Sequence, residues 1–322
     1  MDQYYNYDAA RQDLESFTQK RNEDEERRFF QLCVWDGAMA ANCTTFKLPG
    51  DRRTMCTVPG KATDDKEEAV FTLQGVISDL DLPPLKNRPR AQHVRHIRQS
   101  ITLTGLGNQD FEQAVTTLYG LDTLLERQAP PGSIEKWQPT DYAGYTAIDI
   151  QNRYFTPKKF ANGLPSVPFD DAVDPNGYLK DSVGSELIHT DDNRVEYYSS
   201  AVAGAQTVSP SSFRVGDLVE VCLSAVMAPV NAEKHRMIVV LRSLALLESR
   251  HTMNGDTNRE IAKGNIAFRT VVSKLPKRRR AYATDKACEN QPESSTAGKR
   301  GKVATASETG RSDAADKQMA VE

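Results

Sequence analysis

The run from Ser211 to Glu248, SSFRVGDLVEVCLSAVMAPVNAEKHRMIVVLRSLALLE, decides the fold. It contains two long apolar stretches rich in β-branched residues, separated by a short polar loop, and such stretches satisfy their backbone groups by pairing with each other. Phe213-Arg214-Val215-Gly216-Asp217 reads as a turn entering a strand on which Val219, Val221 and Leu223 face one way. After the loop from Ala228 to His235, the partner strand presents Met237, Val239, Leu241, Ala245 and Leu247 on one side. Ile238, Val240, Arg242, Leu244 and Leu246 lie on the other. Both faces are mostly apolar, as in a strand wrapped into a small barrel or held between layers, and Arg242 is the outlier that needs a partner.

Working outward, the chain divides by composition. It has 322 residues, of which 39% are apolar, and a net charge of −3 that conceals opposite ends. Met1 to Phe30 carries eight acids against five bases, and Lys274 to Lys302 carries nine bases against three acids. The start lacks the apolar core of a secretory signal, and no run approaches the ~18 apolar residues that span a bilayer. Five cysteines at irregular spacing read as reduced thiols of a cytosolic or nuclear protein.

These patterns predict an α+β protein in four parts. Residues 1–30 form an acidic, partly helical segment, and residues 31–135 a mainly helical region with loops. Residues 141–252 form an antiparallel β module, a small barrel or sandwich, and residues 253–322 a mostly disordered basic tail. Within the second part, Asp64 to Leu80 is expected to be helical, stopped by Pro83-Pro84, and Asn108 to cap a helix running through Arg127, with Phe111, Val115, Leu118, Leu121 and Leu125 on one face. In the β module, Asp191-Asp192-Asn193 is placed to turn a hairpin between LIHT and RVEYYSSAV.

No catalytic or metal-binding residue stands out. Gly105-Leu106-Gly107 follows an apolar run and opens a helix but lacks the third glycine of a dinucleotide fingerprint. His93-x-x-His96 has no Cys-x-x-Cys partner, so it reads as part of the acid-free run KNRPRAQHVRHIR from Lys86 to Arg98, which carries five Lys or Arg residues. Cys222 sits inside an apolar strand, where burial keeps a thiol inert. No cofactor is expected.

The blocks FRVGDLVEVCLSAV and RMIVVLRSLALLES, with DPNGYLKD and ELIHTDDNRVEYY before them, resemble a set of uncharacterised fungal proteins across roughly residues 145–249. The resemblance implies a shared β module and no known activity. Gly-Asp-Leu-Val-Glu-Val also looks like the opening of the long strands in oligonucleotide-binding (OB) barrels and chromatin-reader barrels.

Two classes of function follow. In one, the β module binds nucleic acid or chromatin, with Tyr154 and Tyr198 stacking on bases and Arg153, Lys158, Lys159 and Arg242 meeting phosphate; Phe155 and Tyr197 are further stacking candidates. In the other it is a protein-interaction module and those aromatics are core. The clusters Lys277, Arg278, Arg279, Arg280 and Lys299, Arg300 match what a nuclear import receptor reads, which predicts a nuclear protein without a membrane segment.

Overall fold

In the computed structural model, residues 1–35, 43–48, 53–60, 66–130, 132–161, 163–201, 204–231 and 233–271 are described. Five strands close into a barrel: β1 (Phe71–Asp81), β2 (Arg98–Thr104), β3 (Tyr145–Arg153), β4 (Leu218–Pro229) and β5 (His235–Glu248). β1 pairs with β2, and β2 with β3, both antiparallel; β3 pairs with β5 in parallel; β5 pairs with β4, and β4 with β1, again antiparallel. The order 1-2-3-5-4-1 is the Greek-key closure of an OB-type barrel. A closed barrel has no open edge to satisfy, and its alternate residues fill the interior. Val221, Leu223, Val239, Leu241, Ile101, Leu103, Ile148 and Ile150 do so here.

The hairpin read from the sequence is β4 and β5. Its register runs from Leu218 opposite Glu248 to Pro229 opposite His235, with an irregularity where Cys222 faces Ser243 and Leu223 faces Leu241. Arg242 is the residue passed over at that bulge. A bulge shifts the side-chain phase by one, so Met237, Val239 and Leu241 point inward before it and Leu244 after it. The predicted faces therefore hold as far as Leu241 and exchange beyond it.

Helix α1 (Tyr7–Glu23) is capped by Asn6, and helix α2 (Gln109–Glu126) by Asn108, whose Oδ1 accepts from Phe111 N at 3.0 Å. The apolar face of α2 closes the barrel. Gly105 makes this closure possible, since a Cβ there would lie 2.3 Å from Phe111 Cβ. A third helix, α3 (Arg250–Val271), follows β5 directly.

Three expectations are corrected. Asp64 to Leu80 is not helical: its described part is a short strand, Lys66–Glu68, followed by β1. β1 is buried on both sides, with Ile77 in the barrel and Val76 under α1 beside Tyr5, Ala10 and Leu14, which erases the alternation that marks a strand. The region 31–135 thus supplies two barrel strands and cannot be separated from the β module; residues 1–272 cluster as one unit.

Next, Asp191–Asn193 does not turn a hairpin. Leu187–Ile188 pairs with Thr156–Pro157, whereas Glu196–Ala201 adds in parallel to β5. The turn between them is a single 3-10 turn, fixed by Asn193 Oδ1, which accepts from the amide and hydroxyl of Thr190.

Lastly, the segment after Thr252 continues as helix to Val271. Its sequence has no apolar stripe, and polar contacts at its start hold it instead. His251 and Arg250 both meet Asp13, Thr252 Oγ1 donates to Asp217 Oδ1 at 2.7 Å, and Arg259 reaches Asp2 at 2.7 Å. Residues 272–322 lie outside the described part.

Candidate functional site

β2 and β3 place Arg98 directly opposite Arg153. Gln99, Ile101 and Leu103 turn into the barrel, so Arg98, Ser100 and Thr102 face outward, matched across the pair by Arg153, Gln151 and Asp149. Like charges directly opposite on a sheet repel. Asp192, 3.6 Å from Arg153, offsets part of that cost.

A groove of about 150 Å³ opens at this end of the face. Arg53, Arg98 and Arg153 supply its charge, and Phe160, Ile238 and Val240 its apolar wall. Lys158 and Lys159 are exposed on the 3-10 turn that carries Phe160, with Lys159 Nζ 4.8 Å from the centre of the Phe160 ring. The loop from β1 to β2 adds Lys86, Arg88, Arg90 and Arg95, all exposed. That loop is anchored through Val94, which is buried with Tyr154, Phe155 and Leu179 and so holds the cations outward. The β4–β5 hairpin reaches the groove as well, since Ala228 and Pro229 line it. Acids occupy the remainder of the face: Asp79 and Asp81 on β1, and Asp149, which accepts from Thr102 Oγ1 at 2.7 Å. Cations thus gather where Arg98 and Arg153 meet.

Asp192 organises the arginines. Its carboxylate lies 3.0 Å from Arg242, 3.2 Å from Arg53 and 3.6 Å from Arg153, and Arg242 also meets Glu68. Burial alone would raise the Asp192 carboxyl, but the guanidinium groups of Arg242, Arg53 and Arg153 outweigh it and hold the group at about 2. Asp192 is therefore ionised throughout the neutral range.

The residues picked from the sequence divide accordingly. Arg153 lines the groove, and Lys158 and Lys159 flank it. Tyr154 does not offer a stacking surface: it is 1% exposed, and burial pushes its hydroxyl pKa up. Phe155 and Tyr197 are core as well. Tyr198 is half-buried on the Glu196–Ala201 strand, outside this groove, with its hydroxyl on Glu196 at 2.7 Å. Arg242 is not a phosphate contact, because its guanidinium is consumed by Glu68 and Asp192 beneath the surface. Arg53 and Phe160 escaped the sequence reading, although the Lys-Lys-Phe run around Phe160 was a usable signal. The import clusters at Lys277, Arg278, Arg279, Arg280, Lys299 and Arg300 lie outside the described residues.

Among the described residues, no group of three or more His, Cys, Asp or Glu side chains is placed to hold a metal ion, and no helix is long and apolar enough to cross a membrane.

No protein family matches the chain, and no curated protein does. Solved structures similar to it include the single-stranded DNA-binding protein of bacteriophage Enc34 in a C-terminally truncated form. That match has 12% identity and a TM-score of 0.31, covering 60% of this chain and 95% of that one. Another is gp2.5, a single-stranded DNA-binding protein encoded by bacteriophage T7, at 14% identity and a TM-score of 0.32, covering 56% of this chain and 92% of that one.

Proposed function

We propose that this protein binds single-stranded nucleic acid across the end of its barrel where β2, β3 and the two loops meet. The observation that carries this reading is the gathering of Arg53, Arg98 and Arg153 around one groove, beside the exposed Lys158 and Lys159, a cluster of cations of the kind that meets phosphate. In OB-type barrels the β2–β3 face with the β1–β2 and β4–β5 loops is the surface used for oligonucleotides. Here the strand backbone follows the cations from the β1–β2 loop to Lys158 and Lys159, and one base stacks on Phe160. Flexible single strands fit a short groove bounded by acids better than a rigid duplex does.

A fluorescence anisotropy titration with a labelled oligothymidylate at two salt concentrations tests this. Salt-sensitive binding that weakens in Phe160→Ala by about 1–3 kcal/mol is expected. Absence of binding at low salt would remove the reading.

The same reading extends to the compartment. The clusters Lys277 to Arg280 and Lys299-Arg300 have the composition that import receptors take up, which suits a nuclear protein working on nucleic acid or chromatin. Deleting residues 274–302 from a fluorescent fusion should move it to the cytoplasm; unchanged nuclear signal would count against the assignment.

A further inference from the structure

Asn193 and Arg194 follow Asp192, whose carboxylate pairs with Arg53, and line a second cavity, of about 270 Å³. Its walls combine flat rings with polar neighbours, among them Asp170, Arg194 and Glu196. Phe169 and His189 stack with ring centres 3.9 Å apart, and Tyr197, Val208 and Pro210 stand around them. Its polar groups are unusual. Tyr154 and Asn193 both line it, are 1% and 0% exposed, and carry Oη and Nδ2 atoms with no hydrogen-bond partner.

A buried polar atom without a partner costs free energy, so two at one cavity call for an explanation. The Asn193 amide cannot simply be turned over. Its Oδ1 accepts from Thr190 N, Thr190 Oγ1 and Thr156 Oγ1, at 3.0, 3.1 and 3.1 Å, which leaves Nδ2 as a fixed donor. His189 Nδ1 donates to the Tyr154 carbonyl at 2.8 Å, and burial disfavours the charged ring, so Nε2 remains an acceptor. The cavity therefore combines planar walls with a fixed amide donor, a free hydroxyl and an imidazole acceptor. At this volume it falls just below the range of drug-sized sites and suits a single heteroaromatic ring.

We propose that this cavity takes one unstacked nucleobase of the bound strand, with an acceptor on its edge meeting Asn193 Nδ2 and Tyr154 Oη. The inference rests on the strand-binding reading: Asp192, at the centre of the turn, holds Arg53 and Arg153 at the phosphate groove, and its neighbour Asn193 lines the base cavity. A backbone seated at the groove can deliver a base to this cavity.

Thymidine, which has two carbonyl acceptors and no phosphate, is the probe. Saturation-transfer NMR on the full chain should show transfer to its ring protons, and Val208→Trp, which fills the cavity, should abolish it. Tyr154→Phe removes only the hydroxyl that has no partner, so it should melt no lower than wild type while weakening thymidine roughly three- to tenfold, the worth of one hydrogen bond. Oligothymidylate binding is measured in parallel. Strand binding without thymidine transfer, or transfer that persists equally in Val208→Trp, would overturn the base cavity and leave the groove standing. Thymidine transfer without strand binding would overturn both the strand reading and the assignment of the cavity to a base of that strand.

Discussion

Asp192 Oδ1 lies 3.0 Å from Arg242 Nη2, and that one contact joins the bulge in β5 to the turn that serves both the groove and the base cavity. The bulge pushes Arg242 out of the apolar phase of its strand, and Asp192 with Glu68 receives it. Arg53 and Arg153 share the same carboxylate, each with its side chain largely buried. A single acid thus sets the positions of two of the three arginines that line the groove.

Asp192→Asn should lower stability at neutral pH by about 2 kcal/mol, the worth of holding the carboxyl near 2 when its unfolded value is about 3.9. The folded value is the lower one, so this contribution is complete above about pH 4 and is lost as pH falls towards 2. Urea unfolding of both proteins across that range should show their difference shrinking as the solution is acidified; a constant difference would place the effect elsewhere.

Arg98→Ala should separate stability from binding. It relieves the repulsion from Arg153, so the melting temperature should hold or rise, by no more than the roughly 0.2–1 kcal/mol typical of a cross-strand pair. Oligonucleotide affinity should fall, and the slope of log K against log salt should become shallower by about 0.7, because one phosphate fewer is neutralised. Calorimetry and anisotropy read the two effects independently.

Val221→Asp or Val239→Asp should abolish cooperative unfolding. These side chains are 0% and 1% exposed inside the barrel, where a carboxylate has no partner, and penalties of several kcal/mol are of the order of the whole stability of a domain. Circular dichroism melts with a wild-type transition in either variant would contradict the barrel interior described.

Gly105→Ala should destabilise by roughly 1–3 kcal/mol, since its methyl would have to push Phe111 and with it the start of α2 off the barrel. Guanidinium unfolding of Gly105→Ala should show part of the loss recovered in Gly105→Ala with Phe111→Leu. Gly120→Ala, where a Cβ meets nothing within 4 Å, is the control and should change little or stabilise.

The parts of the fold legible in the sequence were those whose signal is local. The β4–β5 hairpin announced itself through two apolar runs and a polar loop, and α2 through Asn108 and its stripe. β1 was hidden because Val76 and Ile77 are buried on opposite faces, under α1 and within the barrel, and continuous apolarity after Lys-Glu-Glu imitates a helix. α3 was hidden for the reverse reason: its contacts with Asp2, Asp13 and Asp217 are polar and lie more than 30 residues away in the chain. The site followed the same rule. Arg153, Lys158 and Lys159 sit within six residues of each other, but Arg53 reaches the groove from 100 residues before Arg153, just ahead of the strand Thr54–Pro59, and no local pattern shows that Tyr154 points inward.

The parallel pairing of β3 with β5 has a consequence for biogenesis. Asn152 Nδ2 donates to the carbonyls of Asp192 and Leu241, 40 and 89 residues further along the chain. As the polypeptide leaves the ribosome, β1, β2 and β3 can form their meander early, yet both outer edges of that sheet wait for Leu218 to Glu248. Such non-local closure is slow, and unpaired edges recruit other chains in the meantime. A message broken between Arg153 and Leu218 would therefore release a three-stranded sheet with both edges unpaired and adhesive.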